Sequence, residues 1–233
     1  FLKTASTLSS IAFIPSGAWA LAKDKRLRTA HIGVGNMGAA DLEAISSHEL
    51  VDVVALCDVD ANNLAAALQK HPKARTFSDY RVMLEEMGKK IDAVIVSTPD
   101  HTHAPASMMA MQMDKPVYCQ KPLTHHVSEA RAMKKLAADK KLVTQMGIQV
   151  HSFYDYKLAT KMIQSGIVGK VHTVRAWSPK NWGYDGPLPQ GKDPVPEYLN
   201  WNLWLGTSAE RSYKEGVYHP GNWRKLVDYG CGT

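Results

Sequence analysis

Three short stretches of this chain bring together residue types whose spacing could do chemistry. They are Gly33-Val34-Gly35-Asn36-Met37-Gly38, Ser97-Thr98-Pro99-Asp100-His101-Thr102-His103 and Gln120-Lys121-Pro122. In a G-x-G-x-x-G pattern the first glycine permits a tight turn. The second lets the backbone approach a pyrophosphate, and the third lets the next helix pack close to the sheet. Amides at the start of that helix, from Asn36 and Met37 onward, then face phosphate oxygens. Asp58 follows about twenty residues on, where the pattern places a carboxylate that bonds the adenosine ribose and repels a 2′-phosphate. NAD is therefore the expected cofactor, with NADP disfavoured.

Lys121 follows a later apolar run, Val117-Tyr118-Cys119. An amine there can exchange a proton with a substrate hydroxyl while hydride moves to a nicotinamide. A partly dry pocket would lower its pKa toward neutrality. Ligands of open parallel sheets sit outside the carboxyl ends of the strands. Ser97, Thr98 and Pro99 end one strand and Gln120 the next, so all four join the expected cofactor set. His103 lines the crevice or caps the following helix, and Gln149, where the pattern changes, is placed on the cofactor side. S-adenosylmethionine enzymes also use a glycine-rich first turn and an acid after the second strand, but they give no reason for a Lys-Pro after a later one. The pair His101 and His103 invites a metal reading. Zinc catalysis needs a third ligand, and His125, His126 and His151 stand at no supporting spacing, so no metal is expected.

The elements that must position these residues follow from the hydrophobic pattern. Strands are expected at residues 29–34, 50–57, 74–77, 91–97, 116–119 and 142–146. Helices are expected at 36–46, 61–69, 80–87, 104–113 and 128–140, the third capped by Ser78 and closed by Gly88. Such alternation implies a Rossmann-type, doubly wound parallel sheet over residues 28–148. Residues 149–233 open differently, with a helix at 154–164, a strand at 171–177 and a loop rich in Pro, Gly and Trp at 178–196. This is the expected start of a second α/β domain with an open, mainly antiparallel sheet.

Composition bounds the rest. The 233 residues are 45% hydrophobic and 21% charged, ordinary for a globular protein. The net charge of +6 comes from scattered Lys and Arg with no nucleic-acid module, so an anionic small ligand is expected rather than nucleic acid. Cys57, Cys119 and Cys231 are odd in number and lack metal spacing, and they read as small buried thiols. Residues 1–22 form a mostly small and apolar stretch ending Ala18-Trp19-Ala20, the pattern of an export signal with its cleavage site. It is too short, and interrupted by Pro15 and Gly17, for a membrane anchor. The expected location is the periplasm, or the cytoplasm if those residues are only an N-terminal extension. The glycine-rich end at Thr233 and the absence of a starting Met suggest a piece of a longer protein.

Taken together, these motifs resemble the Gfo/Idh/MocA family of nicotinamide-dependent sugar and inositol oxidoreductases, over residues 28–233. The resemblance implies that Lys121 is the acid–base residue. The residue before it is usually Glu in that family and is Gln120 here. It also implies a further Asp and His, four residues apart, beyond Thr233. A second domain would cover the nicotinamide and form dimer contacts, making the full-length protein a homo-oligomer. The expected reaction is hydride transfer from a secondary alcohol of a carbohydrate or cyclitol. Trp182, Trp223 and Arg224 are candidate substrate residues, because aromatic faces stack on sugar rings, although core packing explains tryptophans equally well. Two alternatives stay open: a glycosidase acting by transient oxidation and elimination, and a non-catalytic dinucleotide-binding protein.

Overall fold

A computed structural model describes residues 26–177, 186–187 and 189–231 of the chain. Six parallel strands form one sheet in the order β3-β2-β1-β4-β5-β6. They are β1 (Leu27–Ile32), β2 (Val51–Cys57), β3 (Arg75–Phe77), β4 (Ala93–Val96), β5 (Val117–Gln120) and β6 (Thr144–Gly147). The helices between them are α1 (Met37–Ser46), α2 (Ala61–Lys70), α3 (Tyr80–Met87), α4 (His103–Gln112) and α5 (Val127–Lys140). The doubly wound unit expected over residues 28–148 is thus present. Its strand order reverses between β1 and β4, which opens a crevice at their carboxyl ends.

Strand alternation explains how both faces are covered. In β2, Ala55 and Cys57 pack with Met83, Leu84, Ala106 and Met111 from α3 and α4, while Leu56 packs with Leu42 of α1 and Ala67 of α2. Successive side chains of a strand point to opposite faces, so one apolar run serves two cores. Met83 and Leu84 are fully buried, and each such side chain contributes roughly 1.5–3 kcal/mol. Helix α4 is apolar nearly all round because it lies between the sheet and α5, as its contacts with β4, β5 and α5 show.

Local signals set most boundaries. Asp60 caps α2 by accepting from Asn62 N at 2.8 Å. The cap of α3 is Asp79, which accepts from Arg81 N at 2.9 Å, and not Ser78 as expected. Asp79 directly precedes the helix, so its side chain is the one placed to accept from the free amides of the first turn. Cys57 and Cys119 are buried as expected, whereas Cys231 is exposed.

Past β6 the chain forms α6 (Gln149–Ser152), α7 (Tyr154–Gln164) and α8 (Trp201–Leu205), then a 3₁₀ turn at Asn222–Lys225. The strand expected at residues 171–177 is not formed. A strand exists only by pairing, and no described segment pairs with these residues. An antiparallel second sheet is accordingly absent from the described residues. The later part of the chain instead packs against the loops and helix starts beyond the carboxyl ends of β2 and β4. Ala61 N donates to Tyr198 O at 2.8 Å, Asn200 N to Val59 O at 2.9 Å and His101 N to Tyr229 O at 3.2 Å. Beneath these bonds lies an aromatic core. Trp201 and Trp204 stack with centroids 4.8 Å apart, and Tyr213, Tyr218, Trp223 and Tyr229 are buried beside them.

Candidate active site

The glycine loop begins directly after β1. Gly33 has φ +80°, and a Cβ there would lie 2.7 Å from Ser97 O, so the turn passes against β4 with no room for a side chain. At Gly38 a Cβ would collide with Gly33 O, which fixes how closely α1 approaches the strand. The loop is held from the side by Asp58. Its carboxylate accepts from Val34 N at 2.9 Å and from Asp60 N at 2.9 Å. Burial raises the Asp58 pKa, while these amides and the Asn63 side chain oppose the rise. A cradle that only glycine fits, beside a buried acid, suits a dinucleotide pyrophosphate and ribose.

A cavity of about 620 Å³ opens at this place. One wall is the glycine loop with Gly33, Gly35, Asn36 and Met37, next to Asp58. The floor is Ser97, Thr98, Pro99 and Asp100 after β4, with Gln120 and Lys121 at the end of β5. The far wall comes from the later part of the chain, with Trp204, His219, Trp223 and Arg224. The Arg224 guanidinium lies 4.2 Å from the centroid of the Trp223 ring. Trp223 is both core and wall: it is buried in the aromatic cluster and borders the cavity.

Several expected residues stand elsewhere. Gly38 and His103 do not line the cavity. His103 begins α4, fully buried, with Nδ1 2.7 Å from Pro122 O and Nε2 2.7 Å from Thr98 O. It ties the loop after β4 to the loop after β5. Burial lowers its pKa, and the two carbonyl bonds partly offset that effect. Gln149 is exposed at the start of α6, with Nε2 3.2 Å from Met37 Sδ, outside the cavity lining. Lys121 lines the cavity but is itself exposed, so the described residues do not form the partly dry pocket expected around it. Trp182 lies outside the described residues. His101 is buried against Trp204 and Tyr229, with Nε2 3.1 Å from Trp204 O.

The family model described as "Oxidoreductase family, NAD-binding Rossmann fold" matches residues 27–148, over half the chain. The chain belongs to the Gfo/Idh/MocA oxidoreductase family. Residues 27–148 are thus an NAD-binding Rossmann domain of that family. An inositol 2-dehydrogenase of Salmonella paratyphi B is 28% identical over 149 residues, covering 62% of this chain and 43% of that protein. A levoglucosan dehydrogenase of Pseudarthrobacter phenanthrenivorans is 27% identical, covering 54% and 32%. The crystal structure of myo-inositol 2-dehydrogenase from Lactobacillus plantarum superposes with a TM-score of 0.59 at 28% identity, covering 63% of this chain and 43% of that one. The chain thus spans less than half the length of the curated relatives it matches.

Two parts of this Gfo/Idh/MocA site were missed by sequence reasoning. Asp41, buried in α1, accepts from Ser97 Oγ at 2.6 Å and from Gln120 Nε2 at 3.0 Å. His219 Nε2 lies 2.7 Å from Asp60 Oδ2, joining the far wall to the cap of α2. Neither pairing leaves a spacing signal, since the partners are 56, 79 and 159 residues apart. The single available hint was an acid on the otherwise apolar side of α1.

Proposed function

We propose that this protein is an NAD-dependent dehydrogenase that oxidises a secondary alcohol of a sugar or cyclitol, with Lys121 as its acid–base residue. The carrying observation is that Lys121 lines the same cavity as the glycine loop, opposite a wall of Trp204, Trp223 and Arg224. Bound NAD supplies the hydride acceptor. Gly33, Gly35 and the amides of Asn36 and Met37 hold its pyrophosphate, and Asp58 holds its adenosine ribose. Ser97, Thr98, Pro99 and Gln120 border the reacting end. The Lys121 amine takes the hydroxyl proton as the carbon gives up hydride, leaving a ketone. Trp223 and Arg224 orient the polyol by ring contact and hydrogen bonding, a reading supported by the inositol and levoglucosan dehydrogenases among the relatives.

On this reading residues 149–233 belong to a substrate-side second domain, supported by the packing of residues 198–231 over the cavity. Two further parts of the proposal rest on sequence and resemblance: export, on residues 1–22, and self-association of the full-length protein, on its family likeness.

The test is Lys121→Met in the full-length protein, assayed for NAD reduction on a panel of inositols and monosaccharides. Turnover should fall by about 10²-fold or more, the scale of a lost acid–base group, while NAD affinity stays within about threefold. Equal turnover in mutant and parent would remove Lys121 from the mechanism.

A further inference from the structure

Gln120 is the residue at which this chain departs from the glutamate its resemblance leads one to expect, and the structure gives a physical reason. The residue is 3% exposed, and its side-chain amide has two fixed neighbours. On one side is the Asp41 carboxylate, with Gln120 Nε2 3.0 Å from Oδ2 and 3.2 Å from Oδ1. On the other is the backbone amide of Lys121, which donates to Gln120 Oε1 at 2.7 Å. An ionised carboxylate only accepts and a backbone N–H only donates, so just one orientation of the amide satisfies both. Asp41 also accepts from Ser97 Oγ at 2.6 Å. One carboxylate therefore spans the ends of β4 and β5. The space is closed from β6: a Cβ on Gly147, the register partner of Gln120, would lie 3.2 Å from Gln120 Nε2 and 2.5 Å from Tyr118 Oη.

Asp41 does not line the cavity, but Ser97, Gln120 and Lys121 do. We propose that Asp41 is a positioning residue that fixes Gln120 and, through it, the Lys121 main chain at the cofactor crevice, and that residue 120 is Gln because it must donate to Asp41. A glutamate at 120 would set two carboxylates about 3 Å apart in a buried place, which disfavours ionisation of both. The acid expected beside Lys121 stands one hydrogen bond further back. The proposal does not rest on the dehydrogenase reading, because it is read out in cofactor binding and folding.

The test is a reciprocal exchange in the full chain. Gln120→Glu brings two acceptors face to face. Asp41→Asn, with its oxygen in the Oδ2 place, keeps the bonds from Ser97 and from Gln120 Nε2 but sets its own NH₂ in the Oδ1 place, 3.2 Å from Gln120 Nε2. If Gln120 rotates to escape, its NH₂ meets the Lys121 N–H instead. In the double variant, the new amide at position 41 donates to the new carboxylate at position 120. That carboxylate also accepts from Lys121 N, and Ser97 donates to the amide oxygen at position 41, so every donor again meets an acceptor. NAD⁺ affinity is read by quenching of tryptophan fluorescence, and thermal unfolding is followed without cofactor. Gln120→Glu should bind NAD⁺ about tenfold more weakly, the scale of one mispaired buried polar group, Asp41→Asn should lose less because one bond from Gln120 is kept, and the double variant should return to within about threefold of the parent. Melting temperature should show the same pattern, so a single variant that folds poorly still reports through its rescue. A double variant no better than Gln120→Glu alone would overturn the proposal, as would a Gln120→Glu variant that binds like the parent.

Discussion

At the scale of single residues, the site is built by side chains that hold backbone. Asp58 illustrates this. Its expected partner was a ribose, yet both carboxylate oxygens already accept from the backbone of Val34 and Asp60. An exclusive role in ribose recognition would leave those amides unmet. Asp58→Ala should therefore have two effects. Preference for NAD over NADP should narrow, because the carboxylate that repels a 2′-phosphate is gone. The cofactor-free protein should also lose about 2 kcal/mol, the scale of orphaned buried donors. Parallel titrations with both dinucleotides and urea unfolding check these outcomes. A variant as stable as the parent would show that water takes over both amides.

At the scale of elements, the turn from β1 into α1 and the buried histidines carry the consequences. Gly38 cannot accept a side chain without moving α1 away from the Gly33 carbonyl. Gly38→Ala should destabilise the fold by about 2 kcal/mol or more and weaken NAD binding, measured by denaturant melts and titration. His31 of β1 is buried, and burial pushes its pKa down to about 3, with the His71 charge adding a smaller effect. An unfolded histidine titrates near pH 6.5. The folded value is lower, so the neutral ring's contribution is complete above that pH and is lost as pH falls toward the folded value. His101 and His103, also lowered chiefly by burial, act in the same direction. The raised carboxyl of Asp58 acts oppositely, its contribution being lost as pH rises through its folded pKa. Between pH 6 and 5, His31→Gln should flatten the fall in unfolding free energy by roughly 1.4 kcal/mol per pH unit, one proton's worth. An unchanged slope would mean that His31 is protonated in the folded state.

At the scale of the molecule, two surfaces behave differently. Residues 198–231 are stitched to the loops after β2 and β4 by backbone bonds and by the His219–Asp60 contact. His219→Ala should loosen this wall, speed proteolysis near residue 198 and weaken NAD binding about threefold to tenfold, the loss of one buried polar link. By contrast, Phe153, Tyr154, Ile163, Val174 and Trp177 are all more than half exposed. Exposed apolar surface of this extent drives association. The 233-residue chain should therefore self-associate with rising concentration, and Tyr154→Lys with Ile163→Lys should reduce this in sedimentation measurements. A monomer at all concentrations would contradict it.

The six strands, the helices between them and the glycine loop with Asp58 could be read from the sequence, because each rests on local physics: apolar runs of strand length, helical periodicity and turn chemistry. For the same reason Lys121 could be placed at the end of β5. The cap at Asp79 lay one residue from the expected Ser78, since both residue types cap helices and only the chain path decides between them. The strand expected at residues 171–177 failed because alternation supplies a face but not a partner, and pairing is not local. Trp223 and Arg224 were candidates in the sequence, but their meeting with Trp204 and His219 in one far wall, and the carboxylate of Asp41 behind Gln120, were decided only by tertiary structure. These contacts join residues far apart in the chain, and their strength comes from burial, which no spacing in a sequence records.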